Sequence, residues 1–137
     1  MNTGKALLAG VVGGIVLNIY DFIMHGMIMA GTYEKYSTVF TQKEASPVWF
    51  FVVAIAIGIA GALLFAKTRN SWGGGIKGGL AFGFFVGLIG FFAQFYNPLV
   101  IADFPYYLSW CWGGILMIGW LIFGVVASLF VKESAAA

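Results

Sequence analysis

Charge is scarce in this chain. Only 9% of its 137 residues are Asp, Glu, Lys or Arg, where a soluble domain has roughly 25%. A deficit of that size excludes an ordinary water-soluble fold and places the chain in lipid. The length allows one small domain. The seven basic residues give a net charge of +2 and form no run or patch, which argues against a nucleic-acid partner. Cys111 is the sole cysteine, so no internal disulfide and no Cys-based zinc cluster can form. The plain reading of Cys111 is a small packed apolar residue. His25 is the sole histidine, which excludes a two-His haem or zinc site within one chain. Catalytic signatures are missing too: no nucleotide loop, zincin motif or Cys-x-x-Cys occurs. The glycine run Gly73 to Gly79 lacks the strand and the Lys-Ser/Thr ending of a phosphate loop, and reads as a turn entering a close-packed helix. The sequence therefore leans away from an enzyme and requires no cofactor.

Long apolar runs are what the chain has instead, with a mean hydropathy of +0.96. A spanning helix needs about 20 apolar residues, and four stretches qualify: 6–30, 47–66, 76–96 and 105–131. Backbone in lipid must satisfy its own hydrogen bonds, so these continuous, non-alternating runs are helices. The expected fold is all-α: a polytopic four-transmembrane-helix bundle, up-down-up-down, forming one membrane domain. Lys5 before an apolar run imitates a secretory signal, but the run is long and no small-x-small site follows, so it reads as a retained span. Ser46-Pro47 reads as a cap with proline at the first helical position. Asn97-Pro98 is expected to stop the third span, since the residue before proline leaves the helical region. Trp49, Trp72, Tyr106, Tyr107 and Trp110 lie near span ends, where amphipathic rings favour the headgroup level.

Orientation follows from the basic residues. One side holds Lys5, Lys67, Arg69, Lys77 and Lys132; the other holds Lys35 and Lys43 with Glu34, Glu44 and Asp103. The positive-inside rule then puts both termini in the cytoplasm of a multi-pass inner (plasma) membrane protein. Residues 31–46 and 97–104 form the outer loops. Tyr33, Tyr36 and Phe40 fall at helical spacing in the first loop, consistent with a short surface helix or with an exposed loop. Asn18-Ile19-Tyr20-Asp21 echoes Gln94-Phe95-Tyr96-Asn97, each followed by a loop, a proline and aromatics. The echo fits either two hairpins related by an axis along the membrane normal or chance similarity.

Two stripes carry the most information. At 100° per residue, Gly10, Gly14, Asn18, Asp21, His25 and Met29 share a face of the first span, and Gly79, Gly83, Gly87, Gly90, Gln94 and Asn97 share a face of the third. Small residues four apart let helix backbones approach in lipid, so spans one and three are expected to cross at their glycines. Ala54, Gly58 and Gly61, with Gly113, Gly124 and Ser128, offer further contact surfaces. Asp21 and Gln94 both lie roughly 25 Å along their helices, and His25 and Asn97 roughly 30 Å. The polar ends can therefore converge on one pocket in the outer leaflet.

Three readings of that cluster stay open. In the first, Asn18, Asp21, Gln94 and Asn97 bond helix to helix, with His25 donating to Asp21. Such bonds are worth about 0.6–2 kcal/mol each in membranes. In the second, Asp21 and His25 hold a metal or tetrapyrrole, Asp21 fixing the His tautomer and Met24, Met27 and Met29 adding thioethers suited to copper. In the third, the Asp–His pair relays protons or holds a small solute, although the glycine and aliphatic inner halves make a dead-end pocket rather than a conduit.

The layout resembles a group of small bacterial four-helix integral membrane proteins known only as a domain of unknown function. The likeness rests on Asn18-Ile19-Tyr20, on Gly75, Gly79 and Gly83, and on Pro105 to Gly114. The group usually has Trp-Tyr where this chain has Ile19-Tyr20. The resemblance implies architecture and no activity. The expected function is a non-enzymatic accessory or structural subunit, packing in the lipid bilayer with copies of itself as a homo-oligomer or within a larger membrane complex. The alternative is a ligand-handling protein using an Asp21/His25 pocket.

Overall fold

A computed structural model describes residues 2–41 and 46–132; Lys43 and Glu44, used above for orientation, lie outside the described residues. The described chain is all-helical, without strands. Helix α1, Thr3–Asp21, is capped by Asn2, whose Oδ1 accepts the Lys5 N–H at 3.0 Å, satisfying one of the orphan donors of the first turn. A π-helical segment, Phe22–Ile28, continues it. Helix α2, Ala30–Lys35, follows a break at Met29. Helix α3, Pro47–Thr68, starts with proline in its first turn after an extended Ser46. A 3₁₀ turn, Arg69–Ser71, leads to α4, Gly75–Ala93. Gly73 and Gly75 take positive φ (79° and 57°) in that connection, a conformation that costs glycine little.

The third span does not stop at Asn97. A 3₁₀ turn, Gln94–Tyr96, passes into the short helix α5, Asn97–Val100. Pro98 sits in the first turn of α5, where a missing N–H costs nothing. Helix α6, Tyr106–Phe130, opens after an extended Pro105. Four of these segments, Thr3–Ile28, Pro47–Ser71, Gly75–Val100 and Tyr106–Phe130, are long and apolar enough to cross a membrane. Their outer faces carry large apolar groups, including Trp49, Phe50, Ile89, Phe92 and Leu99, each more than 60% exposed.

The helices pair as sequence neighbours: α1 lies along α3, α4 along α6, and α1 meets α6 between the pairs. This corrects the expected crossing of spans one and three. A Cβ at Gly10 would fall 2.5 Å from the Ile59 Cα, and one at Gly14 2.7 Å from the Ala54 carbonyl oxygen. Gly79 faces the Gly124 backbone, Gly83 the Trp120 backbone, and Gly87 Met117. Partner numbers fall as glycine numbers rise, so the helices of each pair run in opposite senses. The physical reason is plain. Spans two and four carry small residues of their own, and these let the glycine faces of spans one and three approach them closely.

Two apolar cores result. One gathers Ala6, Ala9, Leu17, Ala62, Phe65, Phe82, Phe123 and Ala127, with the Phe65 and Phe82 ring centroids 5.0 Å apart. Arg69 closes that end of the fold. It is 4% exposed, its Nε donates to the Val131 carbonyl at 3.0 Å, and its guanidinium also donates to the Gly73 and Gly75 carbonyls. Its cation lies 5.0 Å from the Phe65 ring centroid. The other core, at the opposite end, holds Met29, Phe104, Leu108 and Ile115, and surrounds the residues considered next.

Candidate functional site

His25 lies in the middle of the π-helical segment. There the Met29 N–H donates to the Met24 carbonyl, five residues back, at 2.9 Å. The wider turn rotates His25 away from the place an ideal α-helical wheel assigns it, and π segments of this kind concentrate at functional positions. The expected His25–Asp21 bond is not made. His25 Nδ1 is instead hydrogen-bonded to the Tyr33 hydroxyl, with the two rings stacked at 6.1 Å.

Tyr33 is the hub of this cluster. Trp112 Nε1 donates to its oxygen at 3.0 Å, and its hydroxyl also approaches Met29 Sδ at 3.6 Å. Tyr33 has one proton to give. An imidazole nitrogen is a far better acceptor than a thioether, so the arrangement favours Tyr33 donating to Nδ1, with the His25 proton on Nε2. Burial pushes the Tyr33 phenol above the ordinary tyrosine range, and the Trp112 N–H pulls it partly back. Edge-on rings wall the hub: Phe40 stands 5.0 Å from Tyr33, and Phe104 5.3 Å from Trp112. The connection after the first long helix contains the short helix α2, which includes Tyr33 but ends before Tyr36 and Phe40. Its Tyr33 is turned into the bundle, because a buried phenol needs partners and the fold supplies three.

Asp21 sits apart from this hub. It is half-buried and lines a small cleft of about 40 Å³ with Leu17, Ala54, Ile57, Leu116, Gly119 and Trp120. The cleft lies between α1, α3 and α6, and the Asp21 carboxylate makes no hydrogen bond among the described residues. A water occupies at least 10–15 Å³ by such a measure, so the cleft admits a water or a small cation and no tetrapyrrole. Among the described residues no three His, Cys, Asp or Glu side chains could hold one metal ion. The His25 side chain meets Tyr33, and Asp21 borders the cleft.

The third-span residues form a separate group. Asn97 Nδ2 donates to Gln94 Oε1 at 3.0 Å, Gln94 Nε2 to the Gly90 carbonyl at 3.4 Å, and Ser109 Oγ to the Gln94 carbonyl at 2.9 Å. The Ser109 bond ties the end of α4 to the start of α6, and the other two are local to the end of α4. The Asn18 side chain, half-buried one turn before Asp21, bonds to none of them. The expected pocket residues Asn18, Asp21, His25, Gln94 and Asn97 thus lie in four places, joined by no hydrogen bond among the described residues. Depth along a helix had matched them, but α1 and α4 are not packed partners. Tyr33 and Trp112 escaped the sequence reading; their polar tips, set in apolar surroundings, were the available signal.

No family model, curated protein or solved structure matches the chain.

Proposed function

We propose that this chain is a multi-pass inner-membrane protein, its four long helices crossing up-down-up-down with both termini cytoplasmic. Its function is to pack, as a non-enzymatic accessory subunit, with copies of itself or within a larger membrane complex. One observation carries the reading. The chain spends the polar groups of its outer end on itself, in His25–Tyr33–Trp112 and Asn97–Gln94–Ser109, while its helix faces outward are apolar. Such a surface offers side-chain packing and little chemistry. The opposed registers of the helix pairs support the topology, and the close glycine approaches support glycine-mediated association of the helices. The group of small bacterial four-helix membrane proteins that the sequence resembles remains a model for the architecture alone.

The test is native mass spectrometry of the full chain released from a mild detergent. A homo-oligomer or a co-purifying membrane partner is the expected result. A monomer carrying a stoichiometric metal or pigment would overturn the reading.

One observation favours the alternative, a ligand-handling protein. Asp21 is a carboxylate within a spanning segment; it has no hydrogen-bond partner among the described residues and borders a cleft of water or cation size. Intramembrane carboxylates are costly and mark ion or proton sites more often than chance. Metal analysis and proton-uptake measurements on the wild type and Asp21→Asn separate the two readings.

A further inference from the structure

A cavity lies at the opposite end of the fold from His25. It has a volume of about 520 Å³ and is walled by the ends of three helices: Asn2 and Lys5 of α1, Lys67 to Ser71 after α3, and Phe130 to Lys132 after α6. That size suits a small ligand or a headgroup. Lys5, Lys67 and Lys132 line it and are exposed. None of their ammonium groups makes a hydrogen bond or ion pair among the described residues. No carboxylate lines the cavity among the described residues either. The carboxylates described elsewhere are Asp21, Glu34 and Asp103, of which Asp21 borders the separate cleft beside Leu116.

The lysines are not needed to close the fold. Arg69 already binds the Val131, Gly73 and Gly75 carbonyls that end α6 and shape the connection. Asn70 and Ser71 add exposed side chains with donors and no hydrogen bond among the described residues. Ala66, Phe130 and Val131 give the cavity an apolar wall beside the charged one. Three exposed cations, neutral donors and an adjoining apolar surface are the chemistry that holds a phosphate group attached to an apolar tail. Basic pockets between helix ends on the cytoplasmic side take anionic headgroups by the same means.

We propose that this cavity binds a phosphate-bearing anion, with the headgroup of an anionic phospholipid as its source. Lys5, Lys67 and Lys132 neutralise the phosphate, and Asn70 and Ser71 hydrogen-bond its oxygens. The lipid source rests on the membrane reading above; recognition of the phosphate does not.

The test uses the full chain in detergent, titrated with phosphatidylglycerol, with phosphatidylcholine and with inorganic phosphate, and read by native mass spectrometry. Phosphatidylglycerol should be retained over phosphatidylcholine and lost as salt rises, because exposed charge is screened. A lysine near an anionic surface contributes roughly a fivefold factor. The combined variant Lys5→Gln, Lys67→Gln, Lys132→Gln should therefore lose affinity by about tenfold or more. The matching triple arginine variant should keep it. If inorganic phosphate displaces the lipid, the site serves soluble phosphates; if it does not, the headgroup is the ligand. Equal retention of both lipids without binding of inorganic phosphate, or unchanged binding by the glutamine variant, would overturn the proposal. If the glutamine variant fails to fold, the salt dependence of the wild type and the single variant Lys132→Gln decide by the same criteria.

Discussion

Gly58→Ala adds one methyl group where α1 and α3 touch. The new Cβ would lie 2.7 Å from the Gly14 nitrogen and 2.8 Å from the Gly14 Cα, and closer still to the Gly10 carbonyl oxygen. All three are backbone atoms, so no side chain can swing aside. Restoring ordinary contact of 3.4 Å or more, to the Gly10 oxygen as well, requires the helices to part by about 1 Å. A gap of that size forfeits roughly a quarter to a half of each dispersion contact along the seam. The expected loss is about 1–3 kcal/mol, the range for overpacking a close interface. Gly114→Ala is the control. It is also helical, but nothing lies within 4 Å of its added Cβ, so the alanine should be neutral or stabilising by about 0.5–1 kcal/mol. Reversible unfolding in mixed micelles, followed by circular dichroism, measures both. A Gly58→Ala protein as stable as Gly114→Ala would refute the close approach.

Tyr33→Phe removes the hydroxyl shared by His25, Trp112 and Met29. Leaving the part-buried Trp112 N–H unpaired costs about 1 kcal/mol or more, and Trp112 fluorescence should shift on the same substitution. Because burial raises the Tyr33 pKa, its neutral form is the one the fold favours. That contribution is complete below the ordinary value of 10.0 and is lost as pH rises through the higher folded value. Melting temperature should therefore fall above about pH 10 more steeply in the wild type than in Tyr33→Phe; parallel curves would contradict the buried phenol. Arg69→Gln should cost about 3 kcal/mol or more, since the Val131, Gly73 and Gly75 carbonyls lose a charged donor; a stable variant would remove Arg69 from the closure of that end. Asp21→Asn should fold as the wild type does and keep whatever association the native protein shows. A folded Asp21→Asn protein that has lost ion or proton binding would favour the ligand-handling alternative.

The helices were legible because hydropathy and length decide them with no knowledge of neighbours. Pro47 and Pro105 marked helix starts for reasons local to the backbone. The partners of the glycines were not legible. A glycine stripe says that something comes close and is silent on what, and Gly10 fits the small residues of span two as well as those of span three. The site failed for a different reason. The wheel that aligned Asp21 with His25 assumed α geometry, and the chain leaves that geometry at Phe22. Span three departs at the corresponding point, Gln94, into a 3₁₀ turn. The echo between Asn18 to Asp21 and Gln94 to Asn97 thus falls where both helices change their winding. Tyr33 reaches His25 from the next helix, α2, eight residues on, a contact set by tertiary packing that periodicity cannot encode.

The account turns on four helices crossing a bilayer with the His25 end and the Arg69 end on opposite sides. Thr38 and Ser71 are exposed positions at those two ends. Each is replaced by cysteine in a Cys111→Ser background, and intact cells are treated with a membrane-impermeant thiol reagent. Thr38→Cys should be labelled at once and Ser71→Cys only after the membrane is opened. Labelling of both from outside, or of Ser71→Cys alone, would contradict the account.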